Sequence, residues 1–193
     1  VKVSTAAIEQ KIGGYTVSSA RAYSYTIDGH AYYVLTFPEA TWAYDISTGS
    51  WHERQTYGKK AWKAAPVVNA WNTFLVGDVE GNAVGEIDPE VYADWSTPSR
   101  MEWTYQPVYA DGKRAFHYCL EVIMETGVGL ATGQGSIPKI MAQYSDDGGL
   151  SWASLPDMEI GRAGETRHRV RWDGLGSSAQ RVYRCAISDP VKV

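Results

Sequence analysis

An eight-residue stretch in the C-terminal half constrains the fold most strongly. It reads SDDGGLSW and fits the pattern S-x-D-x-G-x-[ST]-W, the Asp box found on β-hairpins of propeller and sandwich proteins. The central carboxylate can accept hydrogen bonds from backbone N–H groups of the turn, the glycine supplies a positive φ, and the tryptophan covers the turn. The motif therefore predicts a structural hairpin and not a reactive centre. Its defining residues are Ser145, Asp147, Gly149, Ser151 and Trp152.

Strand patterns typical of a propeller blade fill residues 21–54. Short aromatic-rich runs are separated by turn residues, and Asp28-Gly29 fits the tight type I′ turn of a hairpin. Four short strands over about 35 residues are the content of one blade. A weaker copy follows, because the run at 74–76 repeats the character of the run at 33–35. Two blades cannot close a ring, so we expect an incomplete propeller whose other blades lie upstream.

A helix signal and a linker signal mark the two ends of this blade pair. Residues 4–11 predict a short helix capped by Ser4. The Pro-containing run at 95–99 is typical of a linker. We therefore predict a boundary after residue 97, which gives domains of 1–97 and 98–193.

Longer strands follow the linker. Residues 100–105, the turn Asp111-Gly112 and residues 113–124 predict a long antiparallel hairpin. Residues 127–135 contain four glycines and predict a mobile surface loop. The fold class is thus predicted to be all-β: propeller-like blades followed by a sandwich-like antiparallel module with the Asp-box hairpin. Further strands are expected at 139–144, 165–172 and 181–188.

The charge and the aromatic content limit the class of function. The net charge of −4 argues against a protein that coats nucleic acid, although residues 160–193 hold seven Lys/Arg against three Asp/Glu. Eight Trp and thirteen Tyr against three Phe favour half-buried strands and wide protein contacts. No apolar run is long enough to span a membrane. Cys119 and Cys185 are expected to be buried or half-buried thiols without a bridge.

No catalytic, cofactor or metal site is predicted. The glycines of 127–135 match neither P-loop nor dinucleotide spacing, and the four histidines have no partner at metal-ligand spacing. Asp146-Asp147 could ligate calcium, but an Asp box generally satisfies its carboxylate with its own backbone. Glutamates and aspartates are abundant, yet no spacing singles out a catalytic pair.

A basic run near the C-terminus is the candidate interface. Arg167, Arg169 and Arg171 alternate with His168, Val170 and Trp172, so a strand would present three guanidinium groups on one face. Such a face could contact phosphate or a carboxylate-rich protein, or it could be an ordinary solvated sheet face. The loop at 127–135 is a weaker candidate.

Several long runs together resemble one protein family. They are AYSYTIDGHAYYVLTFPEATWAYDISTGSWHER, DGKRAFHYCLEVIMETGVG, AQYSDDGGLSWAS and AISDPVKV. They are similar to the packaged-DNA stabilisation protein of short-tailed phages, also called the tail accessory factor or tail hub. The resemblance runs from near Val3 to the end, is least distinctive between residues 57 and 100, and covers the C-terminal part of the family's proteins.

The resemblance implies a structural virion protein of the phage tail, assembled in the host cytoplasm, and not an enzyme. Family members form a hexameric ring below the portal and its adaptor ring, plug the portal channel and stabilise the packaged DNA. They also contact the tail needle and, in some phages, the tailspikes. Neither sequence-specific nucleic-acid binding nor membrane binding is implied. The Asp box leaves a second reading open, a carbohydrate-binding or sialidase-like β module.

Overall fold

A computed structural model describes residues 2–192. The chain divides into two compact units, the first formed by residues up to Pro89 with Asp94–Thr97, the second by Glu90–Ala93 with the residues from Pro98 onward. One short α-helix, one 3₁₀ turn and nineteen short strands make up the regular structure of the described residues. The predicted all-β class is therefore confirmed. Within residues 2–192 no helix combines the length and apolarity needed to cross a membrane.

The N-terminal helix α1 (Ala6–Ile12) begins one residue later than predicted. Thr5 is its N-cap, because the extended backbone there lets the Thr5 hydroxyl accept a hydrogen bond from the Ile8 N–H at 3.3 Å. The predicted cap, Ser4, is wrong. Its hydroxyl donates instead to the Glu9 carboxylate at 2.6 Å. The 3₁₀ turn Val17–Ser19 follows.

The first sheet is a four-stranded antiparallel meander, as the blade pattern predicts. Its first turn has Asp28 at φ 50° and Gly29 at φ 80°, which are the positive values that a type I′ turn requires. Each strand pairs with the next along the chain. The strands are β1 (Arg21–Ile27), β2 (His30–Thr36), β3 (Thr41–Asp45) and β4 (Ser50–Arg54).

The second sheet copies the first only in part. The run at 74–76 lies in the second strand of its sheet, as the run at 33–35 does in the first. Residues 87–95 do not supply a fourth strand to it. The predicted linker instead turns at Trp95 within a small hairpin of two-residue strands. The strands are β5 (Ala64–Ala70), β6 (Thr73–Asp78) and β7 (Val84–Glu86), followed by the hairpin strands β8 (Ala93–Asp94) and β9 (Thr97–Pro98).

Both faces of the first sheet are covered by apolar side chains. On one face Phe37 and Trp42 pack against Ile8 of the helix. On the other, the fully buried Val34 and Ala43 pack with Tyr25. A sheet covered on both sides is typical of a blade within a stack of sheets.

A buried carboxylate stabilises the turn between β3 and β4. Asp45 accepts hydrogen bonds from His30 Nδ1 at 2.8 Å, from the Ser47 N–H at 2.9 Å and from the Thr48 hydroxyl at 3.0 Å. Burial by itself would raise the pKa of Asp45, but these donors outweigh it and lower the pKa to about 2. The ionised form of Asp45 therefore stabilises the folded state.

We expect this contribution to be present above pH 4 and to be lost as the pH falls toward 2, since the folded pKa lies below that of the unfolded chain. The difference in Tm between the wild type and Asp45→Asn should be largest near pH 5 and should narrow toward pH 2. Thermal unfolding followed by circular dichroism measures it. Asp28→Asn, at an exposed turn position, is the control. A Tm difference that stays constant with pH would contradict the assignment.

The second unit is organised around one long strand, the last of ten. They are β10 (Met101–Thr104), β11 (Val108–Tyr109), β12 (Ala115–Phe116), β13 (Cys119–Val122), β14 (Lys139–Ser145), β15 (Ala153–Ser154), β16 (Met158–Glu159), β17 (Val170–Asp173), β18 (Ser177–Ser178) and β19 (Gln180–Ile187). The long strand β19 pairs with β10 and β14 on its two sides and also with β11, while β14 continues the sheet to β15 and β16. Two separate ribbons, β12–β18 and β13–β17, complete the unit.

The predicted hairpin between residues 100–105 and 113–124 is wrong. β10 pairs with β19, and the run at 113–124 is divided between two ribbons. The division has a visible cause. His117 is buried, Tyr118 and Cys119 are both exposed, and Val122 is buried, so the alternation changes phase in the middle of the run. One continuous strand cannot expose two successive side chains without such a break.

The core of the second unit lies between its sheets. Ile140, Ile160 and Cys185 are completely buried, and Val170 and Trp172 from the β13–β17 ribbon pack against them. Burial raises the pKa of the Cys185 thiol to about 11. The expectation of a buried or half-buried thiol is wrong for Cys119, which is exposed on the outer side of the ribbon.

The glycine loop is packed against its own unit. A Cβ built on Gly127 would lie 2.9 Å from backbone atoms of Glu165 and Thr166, and one on Gly129 would lie 3.0 Å from the Ala163 N. Val128 between them contacts the core. The glycines at these positions allow two backbone segments to approach closely, so this part of the loop is packed against the protein and does not extend freely into solvent.

Candidate interaction surface

The Asp-box turn joins β14 to β15 through its own polar groups. Asp147 accepts hydrogen bonds from the Ser151 hydroxyl, from the Ser151 N–H at 2.9 Å and from the Ser145 hydroxyl at 2.7 Å, and these donors hold its pKa well below the usual range. Gly149, at φ 97°, donates its N–H to Ser145 Oγ at 2.8 Å. The Trp152 indole donates back to the Gly149 carbonyl at 3.1 Å. Both carboxylate oxygens of Asp147 thus bind within the turn.

The neighbouring carboxylate makes a different contact, which no sequence pattern predicted. Asp146 accepts two hydrogen bonds from Arg181, at 2.6 and 2.7 Å, and these bonds lower its pKa. The Arg181 side chain is only 3% exposed, lies 4.2 Å from the Tyr144 ring centroid and donates to the Leu175 carbonyl at 2.5 Å. No signal in the local sequence marks Arg181 as the buried arginine, because β19 also contains Gln180 and Arg184. Among residues 2–192 no group of three His, Cys, Asp or Glu side chains could hold a metal ion.

The three arginines of the candidate interface lie at or beside the β13–β17 ribbon. Arg169 forms a bidentate pair with Glu121, with both hydrogen bonds at 2.9 Å. Arg171 donates to Asp173 at 2.7 Å and lies 3.6 Å from Glu121. Arg167 is exposed and has no ion pair within the described residues. The repulsion expected between alternate arginines is therefore relieved by two carboxylates of the same chain.

The predicted single strand over 165–172 is wrong, because it begins only at Val170. Hydrogen bonds to Glu165 explain why the strand starts late. Its carboxylate accepts the Arg162 N–H at 2.8 Å and its carbonyl accepts the His168 N–H at 3.2 Å, so the residues up to His168 form turns. Arg167 consequently lies outside the ribbon, and the three guanidinium groups do not share one strand face.

Exposed apolar side chains accompany these arginines. Ile123, which follows β13 directly, is 97% exposed, while Tyr118 and Phe116 just before β13 are 81% and 71% exposed. An unbroken alternation with Leu120 and Val122 would place Phe116 and Tyr118 on the inner side, and the phase change described above explains why they point outward. We call the outer side of β13–β17, with Glu121, Ile123, Arg169 and Arg171, the arginine ribbon.

The most exposed aromatic side chain of the first unit lies at a hairpin tip. Trp71 forms the tip of the β5–β6 hairpin and is 87% exposed. Trp71 and Asn72 have φ values of 49° and 64°, so the tip is a tight turn with both central residues in the left-handed region. A bulky residue is uncommon in that conformation, and no pattern in the sequence marked this tryptophan.

Two protein-family models match the chain. The model described as "Bacteriophage P22 Gp10, beta-propeller" matches residues 1–92, and the model described as "Bacteriophage P22 Gp10, beta-sandwich" matches residues 101–193. No curated protein matches it. The two matches confirm the predicted order of a propeller-like part followed by a sandwich, and they confirm the resemblance drawn from the sequence.

Proposed function

The chain belongs to the bacteriophage P22 Gp10 family, a family of packaged-DNA stabilisation proteins of the phage tail, and on that premise we propose that it closes the portal channel as part of a tail hub. Membership makes it a structural phage protein and a component of the virion. The proposal extends to its assembly: a ring of copies, hexameric as the resemblance implies, that forms in the host cytoplasm. This ring would contact the portal-adaptor ring, the tail needle and, in some phages, the tailspikes.

The exposed apolar side chains of the second unit carry the proposal. Ile123, Tyr118 and Phe116 lie in or beside the arginine ribbon and are at least 71% exposed. Burying one large apolar side chain contributes about 1.5–3 kcal/mol, so three of them supply a substantial share of a protein contact. Aromatic residues and arginine are also the side chains enriched at such contacts.

The charges of the ribbon favour a contact with protein over one with bare DNA. Glu121 and Asp173 already pair with Arg169 and Arg171, so of the three arginines at 167, 169 and 171 only Arg167, beside the ribbon, has no ion pair within the described residues. A duplex carries a charge about every 1.7 Å and needs several unpaired cations in register. The proposed retention of DNA therefore acts by closing a channel and not by gripping the duplex.

Ile123→Asp tests this role in particles assembled with the full gene product. Because Ile123 is 97% exposed, the variant should fold, yet a carboxylate buried at a contact should reduce hub incorporation and DNA retention at least about tenfold. Electron microscopy of tails and nuclease protection of the packaged DNA measure the two effects. Leu150→Asp, 90% exposed on the Asp-box turn, is the matched control.

Normal incorporation of Ile123→Asp would contradict the proposal. Replacing Arg167, Arg169 and Arg171 together by Glu is a less clean test, because Glu121 would then face new negative charges within its own ribbon. Ile123→Asp avoids that complication. The proposal also includes the absence of enzymatic activity, and turnover in a glycan panel with a hydrolysis readout would contradict it.

A further inference from the structure

A basic groove opens between the two sheets of the first unit. Its volume is about 720 Å³, within the range of about 300–1,000 Å³ of ligand sites. The wall on one side comes from the start of β1 and the end of β2, and the wall on the other from the β4–β5 connection and the end of β6. We call it the interblade groove. The side chains that matter are Arg21, Lys59, Lys60, Trp62, Lys63 and Phe37.

Positive charge is concentrated in this groove. Its lining holds four Lys/Arg against two Asp/Glu, whereas the rest of residues 1–97 holds three Lys/Arg against nine Asp/Glu. A cleft of one sign in a surface of the opposite sign focuses the field and attracts a ligand of complementary charge. The groove therefore selects for an anionic group.

Two of the four cations are unpaired. Lys59 Nζ lies 2.9 Å from Glu80, and Lys63 Nζ lies 3.6 Å from Asp78. Arg21 and Lys60 form no ion pair within residues 2–192, and both are exposed. Lys60 lies near enough to Glu39 to help lower the pKa of that carboxyl, but Glu39 already accepts hydrogen bonds from Thr16, so both cations can still pair with an external carboxylate.

Apolar side chains also line the groove. Pro38 and Pro66 are exposed and Trp62 is half-buried, whereas Phe37 is only 3% exposed and offers little surface to a ligand. The Trp62 indole is held in place, because it donates to Asp94 at 3.1 Å and its ring centroid lies 5.1 Å from the Arg54 guanidinium. A lining that combines cations with a fixed apolar surface fits an amphipathic chain that carries both carboxylates and an apolar side chain.

We propose that the interblade groove binds an extended acidic segment of a partner protein. Carboxylates of the segment pair with Arg21 and Lys60, and an apolar side chain packs against Trp62, Pro38 and Pro66. A single-stranded nucleic acid fits less well, because the acidic remainder of the unit repels a longer polyanion.

The test uses the full chain and fluorescently labelled ten-residue peptides of Glu and Asp with one central Phe, Leu, Ile or Trp. Fluorescence anisotropy at 50 mM and 300 mM salt should show saturable binding that weakens with salt. Lys60→Glu and Arg21→Glu should each weaken it at least about tenfold. Lys113→Glu, which changes the net charge equally at an exposed position of the other unit, should change it less than about twofold.

Three results would overturn the inference: no peptide bound at low salt, equal weakening by Lys60→Glu and Lys113→Glu, or tighter binding of a ten-nucleotide single strand than of any acidic peptide. Circular dichroism confirms that the variants are folded. The inference goes beyond the proposed tail role and does not depend on it, since the peptide assay needs no phage particle. Its failure would leave the proposed function untouched.

Discussion

Arg181→Ala is expected to destabilise the second unit by about 3 kcal/mol, because breaking a buried pair removes several interactions at once. The substitution removes both hydrogen bonds to Asp146, the bond to the Leu175 carbonyl and the contact with the Tyr144 ring. It also leaves a cavity where a side chain that is 3% exposed had been. Urea unfolding of the full chain, followed by tryptophan fluorescence, measures the loss.

The matched control is Arg162→Ala. Arg162 is exposed and forms hydrogen bonds only through its backbone N–H and carbonyl, which alanine keeps, so its substitution should change the free energy of unfolding by less than about 0.5 kcal/mol. Asp146 itself is 41% exposed, so water can solvate part of the carboxylate once Arg181 is gone, and the cost stays below that of a fully buried charge. A loss of under 1 kcal/mol for Arg181→Ala would contradict the structural role given to this pair.

Gly127→Ala is expected to be at least as costly, about 3 kcal/mol or more. Gly127 has φ 80°, and a Cβ there would meet backbone atoms of Glu165 and Thr166 at 2.9 Å, so two main-chain segments would have to separate. Thermal and urea unfolding measure the effect. Because the displaced segment leads directly to Arg167, the variant should also shift that arginine relative to the ribbon.

Gly133→Ala separates the two causes of the expected loss, which are the strain of a positive φ and the close approach of a second backbone segment. Gly133 has the same φ of 80°, but a Cβ there would meet nothing within 4 Å. Its substitution should therefore cost only the strain of a left-handed alanine, about 1–2 kcal/mol. Equal losses for Gly127→Ala and Gly133→Ala would show that the close approach of the two segments contributes nothing.

The first blade could be predicted from the sequence because its information is local. Asp28-Gly29 determines a tight turn, and the aromatic alternation on either side determines which residues pair. Neither feature depends on distant parts of the chain. The four strands β1 to β4 accordingly fill residues 21–54, as the pattern predicts.

For the second unit, the sequence predicts strands but not which of them pair, because the partners lie far apart along the chain. β10 pairs with β19 instead of with the next strand along the chain, and nothing in the Met101–Thr104 run identifies its partner. Turn chemistry at Asp111-Gly112 suggested a hairpin, and the geometry of that turn is present, with Asp111 at φ 48°. The turn is therefore present, but the strands on its two sides, β11 and β12, pair with β19 and β18 instead of with each other.

The candidate surface shows the same limit. The arginines were visible as a repeat in the sequence, but Glu121, which neutralises two of them, lies almost fifty residues away along the chain. Ile123 was indistinguishable from a core residue until the ladder of Leu120 with Trp172 showed which face of the ribbon points inward. Whether an apolar side chain is exposed depends on which distant segments pack around it, so it cannot be predicted from the neighbouring residues in the sequence.

The position of β19 has a consequence for how the chain is made. β10, β11 and β14 all take their partner from residues 180–187, which a ribosome adds roughly 4–16 seconds after residue 101 at ordinary rates of synthesis. Until then three strand edges stay open, and open edges invite pairing with other nascent chains. The second unit therefore completes its sheet late in translation, and before then its open strand edges are exposed to chaperones and to other nascent chains.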